Sequence, residues 1–134
     1  MKKIIDGFVG GEPFKIFIGT DSDGNQDFVV FATALVVYKV GVGGIYFYKL
    51  KREKKYHDIY SRLFEEVHLS IEMANFVKQS LGLNHAEIHI DAGQDGESKE
   101  IISTLVGYVK GMGYNFKLKP WAFAASKIAH RHTK

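Results

Sequence analysis

Three acidic residues stand where an α/β chain would place ligands for divalent metal ions. Asp21 directly follows the apolar run 14–20, and Asp91 directly follows the apolar run 86–90. Glu66 lies between them on a long helical pattern. A carboxylate at the end of a buried strand costs free energy unless a cation compensates its charge. These residues therefore predict a divalent metal site and, through it, phosphoryl-transfer chemistry.

A fourth ligand is expected from the last helical segment of the chain. Ala122, Ser126 and His130 recur at intervals of four, so they would share one face of an α-helix. The small side chains would let that helix approach the site, where His130 could bind a metal ion or transfer a proton. The alternative is that His130 is an exposed histidine without a role.

Both aspartates also have a purely structural interpretation. Asp21 and Asp23 lie in the stretch Thr20-Asp21-Ser22-Asp23-Gly24, which is rich in turn formers. Asp91 opens a loop in which Asp95 or Ser98 could cap the next helix. For Asp91 the two interpretations are compatible, because the ligand and the cap would be different residues.

Helical geometry separates Glu66 from its neighbour Glu65. At ~100° per residue, Glu66 flanks the predicted buried stripe, whereas Glu65 is expected to point toward solvent. The stripe consists of Leu63, Val67, Ala74 and Leu81. Glu66 is therefore the candidate ligand. The alternative is a surface glutamate paired with Arg62 one turn earlier.

The elements that must position these residues follow from the hydrophobic pattern. Alternating and β-branched runs predict strands, and apolar residues at helical spacing predict helices. Gly82 is expected to end the first long helix, and Pro120 to occupy the first turn of the last one. The predicted strands are 14–20, 28–38, 45–50, 86–90 and 114–118, and the predicted helices are 58–81, 98–112 and 121–131.

This order, β-β-β-α-β-α-β-α, predicts one α/β domain over residues 1–134. Three strands with short turns form an antiparallel meander, and helical crossovers add two parallel strands to give a mixed five-stranded sheet with helices on both faces. A right-handed crossover would place the fourth strand beside the first and parallel to it. Asp21 and Asp91 would then lie on adjacent strands ~4.8 Å apart, where they could share a pair of metal ions.

Composition limits the class of protein. The chain has 134 residues, 46% of them hydrophobic, which suits one globular domain. It has no cysteine, so a disulfide scaffold and a zinc–thiolate site are excluded, and a reducing compartment is expected. The charged start is unlike a signal peptide, and no apolar run is long enough to span a bilayer. We therefore expect a cytoplasmic protein without a membrane partner.

Basic residues favour nucleic acid as the partner. The net charge is +3, and the Lys and Arg residues cluster in two regions. Lysines interleaved with tyrosines suit a phosphate backbone with exposed bases. The alternative is a solvated edge strand that lysines protect from pairing. The predicted contacts are Lys49, Lys51, Arg52, Lys54 and Lys55, beside Tyr46, Tyr48 and Tyr56, and, in the second region, Lys119, Lys127 and Arg131.

The motifs and their order resemble the ribonuclease H-like fold and, within it, the YkuK-type family, whose function is unknown. The resemblance covers nearly the whole chain. It is carried by Ile18-Gly19-Thr20-Asp21-Ser22, Arg62-Leu63 with Glu66, Ser70-Ile71-Glu72, Ile90-Asp91, Gly96 with Ser98, the run 107–114, Lys119-Pro120 and the run 125–129.

The resemblance implies a metal site of four residues. Superfamily members use an Asp-Glu-Asp set with a fourth Asp or His and two Mg²⁺ or Mn²⁺ ions, which corresponds here to Asp21, Glu66, Asp91 and His130. The YkuK-type family has Ala-Asp where this chain has Ala129-His130. Because imidazole brings no negative charge and Mg²⁺ prefers oxygen, the change would favour Mn²⁺ or weaken one metal site.

Three functional hypotheses follow. The first is a metal-dependent nuclease or phosphodiesterase in which Asp21 and Asp91 share two ions, Glu66 completes one coordination sphere, and His130 positions an ion or protonates the leaving group. The second is a nucleic-acid-binding module that has lost catalysis, and the third is a partner-binding domain. The sequence does not choose between RNA, DNA and a hybrid, and it carries no signal for oligomeric state.

Overall fold

The sheet is built from five strands in the order β3-β2-β1-β4-β5. A computed structural model describes residues 1–25, 27–54, 58–93 and 99–133. Along the chain, the elements are α1 (Lys2–Val9), β1 (Phe14–Gly24), β2 (Phe28–Lys39), β3 (Gly43–Lys54), α2 (Ile59–Leu81), β4 (Glu87–His89), α3 (Lys99–Gly111) and β5 (Asn115–Lys117). A C-terminal segment follows, made of a π-helix, Ala124–Ile128, and a 3₁₀-helix, Ala129–His132.

Strand pairing confirms the predicted mixed topology. β1 pairs with β2 and β2 with β3 in antiparallel fashion, as short turns require. β4 then lies parallel to β1, and β5 lies parallel to β4, after helical crossovers. The carboxyl ends of β1 and β4 therefore meet at the same edge of the sheet.

The two faces of the sheet are covered by different elements. Ile16 and Ile18 of β1 point toward α2 and form the main core with Val67 and Ile71, all buried. The opposite face of β1 and β2 carries Gly19, Ala32 and Ala34 where the C-terminal segment packs, and Ala129 is buried against Ala32 and Ala34. We call these the α2 face and the C-terminal face.

Both ends of α2 follow from its sequence. Asp58 is the N-cap, and its carboxylate accepts a hydrogen bond of 2.7 Å from the backbone N–H of Ser61. Gly82 ends the helix in the left-handed conformation at φ 68°, and its N–H donates to the carbonyl of Val77. Local capping interactions therefore determine where the helix begins and where it ends.

Three local expectations were wrong. The chain opens with a helix, α1, whose Ile5 and Val9 are buried in the main core. The C-terminal segment is not an α-helix that starts at Pro120, because its helical part begins after Ala122 and is π-helical and then 3₁₀. β1 also continues to Gly24, so Asp21 and Ser22 lie in a strand rather than in a turn.

Some predicted features lie outside the described residues. These are Lys55 and Tyr56 of the basic stretch, the candidate caps Asp95 and Ser98, and Gly96. Among the described residues, no helix is long and apolar enough to cross a membrane.

Candidate metal centre

Strand register brings Asp21 and Asp91 together. Gly19 of β1 lies opposite His89 of β4 in the parallel ladder. Asp21 and Asp91 each lie two residues beyond that pair, so their side chains project from the C-terminal face of the sheet as neighbours. Asp21 is buried, and Asp91 is partly buried.

Glu66 reaches the same place from α2 through Ser22. The hydroxyl of Ser22 donates a 2.5 Å hydrogen bond to Glu66 Oε2. Arg62 donates from Nε to the same hydroxyl and from Nη2 to the carbonyl of Ser22, both at 2.6 Å. Glu66 is 6% exposed. It is therefore not a surface residue, and Arg62 binds the strand rather than forming the predicted i, i+4 pair.

The three carboxylates converge on one point. Among the described residues, one oxygen each from Asp21, Glu66 and Asp91 lies within 4.8 Å of the other two. Glu66 Oε1 is buried and has no hydrogen-bond partner in the described part of the chain. Asp91 Oδ1 is likewise without a hydrogen bond there, although the ammonium group of Lys119 lies 3.3 Å away. Buried oxygens left unpaired in this way fit a cation.

The pKa values of Glu66 and Asp91 are both raised, which indicates that the buried carboxylates have too little positive charge around them. Burial, and then the negative charges of Asp21 and Asp91, raise the pKa of Glu66 well above its ordinary value, against the hydrogen bond from Ser22. Burial and the hydrogen bond and charge of Asp21 raise the pKa of Asp91 to about 6. A divalent cation would stabilise both ionised forms. Three carboxylates are a hard oxygen donor set, which suits Mg²⁺ or Mn²⁺.

His130 joins the site through Asp21. Its Nδ1 lies 2.6 Å from Asp21 Oδ2, and an ionised carboxylate can only accept, so Nδ1 is the donor. The side chain of His130 is 49% exposed, so it borders the site on the solvent side. The structure thus places all four predicted residues in one constellation, with His130 bonded to a carboxylate.

A close contact between backbones positions His130. A Cβ on Gly19 would lie 2.3 Å from the backbone nitrogen of Ala125, so only glycine lets the C-terminal segment lie this near β1. The backbone N–H of Ala124 also donates to Nδ1 of the buried His89, at 3.1 Å. His89 therefore anchors this segment, with its Nε2 bonded to Glu87. Burial lowers the pKa of His89, in keeping with a neutral ring.

The end of the segment is held by tyrosines of β3. The ring of His132 stacks on Tyr48 with centroids 3.7 Å apart, and His132 Nε2 lies 3.0 Å from the hydroxyl of Tyr46. Because His132 lies two residues after His130, these contacts fix the chain on both sides of the site.

The orientation of Glu65 differs from the expectation. Glu65 does not point into solvent, because its carboxylate lies 3.2 Å from Lys51 and its side chain is only 17% exposed. Glu65 therefore secures α2 to β3, while Glu66 faces the other carboxylates.

Strand alternation divides the first group of basic residues between the two faces. Lys49 and Lys51 lie on the α2 face, whereas Arg52 and Lys54 lie on the C-terminal face. The structure therefore does not bring this stretch together as one patch. In the second region, Lys119 lies at Asp91, and Lys127 and Arg131 are exposed on the C-terminal segment.

Sequence reasoning did not identify Ser22 and Arg62 as part of the site. A signal was present, because the inward face of β1 changes from Ile16 and Ile18 to the hydroxyl residues Thr20 and Ser22. The hydroxyls meet polar residues of α2 at helical spacing: Thr20 bonds to Ser70 at 2.8 Å, and Ser22 bonds to Arg62 and Glu66.

The chain is similar to several known proteins. A relative, the uncharacterized protein YkuK of Bacillus subtilis (strain 168), is 28% identical over 147 residues, which cover 95% of this chain and 85% of the relative. RNase H1 from Halobacterium salinarum NRC-1 is 10% identical, with a TM-score of 0.48 over 82% of this chain and 89% of that one. LC11-RNase H1, solved in complex with an RNA/DNA hybrid, is 10% identical, with a TM-score of 0.49 over 87% of this chain and 95% of its own. The family model described as ribonuclease H-like matches residues 1–134, and the chain therefore belongs to the ribonuclease H-like family, in its YkuK-type group.

Proposed function

We propose that this protein is a metal-dependent nuclease that hydrolyses phosphodiester bonds in RNA, DNA or a hybrid. The observation that carries the proposal is the convergence of Asp21, Glu66 and Asp91 within 4.8 Å, with Glu66 Oε1 buried and without a hydrogen bond in the described residues. Membership of the ribonuclease H-like family supports it. Cytoplasmic localisation remains a prediction from the sequence.

Asp21, Glu66 and Asp91 would hold Mg²⁺ or Mn²⁺. When bound, such ions supply a water molecule of lowered pKa and stabilise the charge that develops on the leaving oxygen. Ser22 and Arg62 orient Glu66 and tie it to β1, so that its free oxygen faces the aspartates. Asp21 lies on β1, Glu66 lies on α2 and Asp91 lies two residues after β4, and placing the ligands on or next to regular elements keeps the site rigid.

His130 and Lys119 border the carboxylates and have separate roles. His130 orients Asp21 through its Nδ1–H and, being half-exposed, can exchange a proton with solvent or with a leaving oxygen. Lys119 places an ammonium group 3.3 Å from Asp91, where it can pair with a substrate phosphate once a metal ion occupies the carboxylates.

Labelled single-stranded RNA, single-stranded DNA, duplex DNA and an RNA/DNA hybrid would test the proposal in Mg²⁺ and in Mn²⁺. We expect cleavage of at least one substrate, its loss in EDTA, and a fall of 10²-fold or more in Asp21→Asn. Asp23→Asn is the matched control, since Asp23 is an exposed aspartate two residues further along the same strand. Cleavage that persists in Asp21→Asn or in EDTA would disprove the proposal.

One observation favours the second candidate, a nucleic-acid-binding module without catalysis. His130 and Lys119 bring cationic or hydrogen-bonding groups to two of the three carboxylates, so part of the charge is already compensated without an ion. A binding module would retain its affinity in EDTA, with a steep dependence on salt, and would not cleave any of the substrates. The same set of substrates, measured for binding and for cleavage, separates the two candidates.

A further inference from the structure

An open cleft lies on the C-terminal face of the sheet, next to the carboxylates but not part of their site. Its volume is about 850 Å³. It lies where β1, β4 and β5 begin, and the C-terminal segment does not cover this half of the face. Its lining combines Lys15, Phe17, Glu87, Lys117, Trp121 and Phe123. A volume of this order is typical of a small-ligand site.

The floor of the cleft is aromatic and rigid. Phe17, His89 and Phe123 pack against one another with ring centroids 4.9–5.2 Å apart. Both nitrogens of His89 are engaged, by Glu87 and by the N–H of Ala124, so the floor has little freedom to rearrange. Trp121 stands beside this floor and is 72% exposed, the largest exposed fraction among the large hydrophobic residues described. A fixed aromatic floor with an exposed indole suits stacking of a flat, polar ring such as a nucleobase.

The charges of the cleft suit a phosphate. Lys15 and Lys117 are both exposed, and neither forms an ion pair with a carboxylate of the described residues. The acidic group of the cleft, Glu87, already accepts a hydrogen bond from His89. Two free ammonium groups beside exposed aromatics are the combination found in single-strand binding surfaces.

The register of β5 connects the cleft to the carboxylates. Lys117 lies opposite His89, and the hydrogen bonds Ile90 N–H to Lys117 O and Lys119 N–H to Ala92 O continue the ladder beyond β5. Lys119 therefore follows Lys117 on the same face and reaches Asp91. Asp91 lies four residues after Glu87 and two residues beyond the end of β4, a separation of ~13 Å if the chain stays extended. One nucleic acid strand could thus contact the carboxylates and the cleft together.

We propose that this cleft binds an unpaired nucleotide of the strand held at the carboxylates, with its base against Trp121 and its phosphate between Lys117 and Lys15. The inference rests on the proposed function for its partner, nucleic acid. It adds that the recognised strand is single-stranded a short distance from the carboxylates, because neighbouring base pairs cover both faces of a base inside a duplex and leave none for Trp121.

The only tryptophan of the chain provides the test, because Trp121 is the source of all tryptophan fluorescence. We would titrate wild-type protein in EDTA with oligothymidylate of two and of eight nucleotides. We expect the eight-nucleotide strand to quench Trp121 and the two-nucleotide strand to bind at least tenfold more weakly. Fluorescence anisotropy of a labelled oligonucleotide gives the affinity independently. Trp121→Ala should raise its Kd by about tenfold, the loss expected for one stacked base, whereas Trp121→Phe should retain most of the affinity.

Charge reversal completes the experiment. Lys117→Glu should raise the Kd by tenfold or more, whereas Lys110→Glu, an exposed lysine of α3, should leave it unchanged. Asp91→Asn should abolish cleavage and retain the quenching.

Cleavage by wild type without any response of Trp121 would overturn this inference alone, and quenching without cleavage would overturn only the nuclease. Equal effects of the two lysine variants, absence of oligonucleotide binding, or a cleft that responds only to a protein would also overturn the inference.

Discussion

At the scale of single residues, the site is an excess of buried negative charge that the protein compensates only in part. Ser22 donates to Glu66, His130 donates to Asp21, and Lys119 approaches Asp91. One oxygen of Glu66 is still unpaired among the described residues, and burial raises the pKa of Glu66 and of Asp91. Stability without metal should therefore be limited by these carboxylates.

Glu66→Gln tests that limit directly. The amide retains the hydrogen bond from Ser22 and removes a buried charge, so in EDTA at pH 8 we expect the free energy of unfolding to rise by about 1–3 kcal/mol. Cleavage and stabilisation by Mn²⁺ should both be lost. Chemical denaturation with and without Mn²⁺ measures this. Glu65→Gln is the matched control, because it lies next to Glu66 on α2 and its loss weakens the pairing with Lys51, a change of about 1 kcal/mol or less. A less stable Glu66→Gln protein in EDTA would contradict the argument.

The pH dependence of stability should change sign with metal. The raised pKa of Asp91, about 6, means that the folded protein keeps a proton that the unfolded chain releases near pH 4. In EDTA the free energy of unfolding should therefore fall as pH rises from about 4 to about 6, and Glu66 should extend the fall to higher pH. In Mn²⁺ it should rise over the same range, because protons compete with the ion. Denaturation curves at a series of pH values measure both slopes, and Asp91→Asn should flatten the fall. Parallel slopes in EDTA and Mn²⁺ would refute this.

At the scale of elements, the C-terminal segment delivers His130 to the carboxylates from the opposite side to α2. Its position depends on Gly19, on the anchor that His89 provides for Ala124, and on the stacking of His132 upon Tyr48. A change in any of these contacts should move His130 while Asp21, Glu66 and Asp91 stay on their strands and helix.

Gly19→Ala should displace that segment. The added methyl group would lie 2.3 Å from the backbone of Ala125, and backbone cannot yield as a flexible side chain would. We expect a loss of about 1–3 kcal/mol in the free energy of unfolding and a reduced rate of cleavage. Gly107→Ala in α3 is the control, since nothing lies within 4 Å of its new methyl group, and it should stabilise the helix by about 1 kcal/mol. Thermal denaturation of both variants checks this, and equal stability of Gly19→Ala and wild type would contradict it.

The sequence predicted the elements whose periodicity is long and regular. β1, β2, β3, α3 and α2 with its Gly82 cap were found because their patterns persist over many residues, whereas β4 and β5 were found as short apolar runs that flank α3. α1 was missed because eight residues give too short a pattern, and its stability comes from burying Ile5 and Val9 in a core formed by distant segments.

Tertiary contacts explain the remaining differences. The spacing of Ala122, Ser126 and His130 assumed an α-helix, whereas packing against Gly19 accompanies a π-helix. The orientation of Glu65 depends on Lys51, a partner on β3 that no local pattern reveals. The meeting of Asp21 with Asp91 was predictable because it depends on topology alone, and the bonds of Ser22 with Arg62 and Glu66 were not recognised because β1 was expected to end before Ser22.

At the scale of the whole molecule, the net charge is a modest +3, and the basic residues of β3 are divided between the two faces of the sheet. Lys51 on the α2 face is engaged by Glu53 and Glu65, and the raised pKa of Lys51 reflects these hydrogen bonds. Arg52 and Lys54 instead share the C-terminal face with His130. Nucleic acid that reaches the carboxylates should therefore contact Arg52 and Lys54 and should not contact Lys49 and Lys51.

Two double variants test that division. Arg52→Ala with Lys54→Ala should weaken nucleic acid binding and lower the slope of log K against log[salt] by about 1.5, the value for two lost phosphate contacts. Lys49→Ala with Lys51→Ala removes the same charge from the α2 face and should leave the slope unchanged. Binding isotherms between 50 and 200 mM salt, a range over which such contacts dominate affinity, measure both. Equal slopes for the two double variants would show that charge acts without regard to face.

Because of the π-helix at Ala124–Ile128, the contact of His130 with Asp21 depends on the number of residues in that turn as well as on their types. A wide turn holds one more residue than an ordinary turn and shifts everything downstream by about 100° relative to a regular α-helix. Removing a single residue from this turn would rotate the imidazole off Asp21 without altering any side chain of the constellation. Among relatives, gaps of one residue here would thus mark gain or loss of the histidine contact, even where all four functional positions are intact.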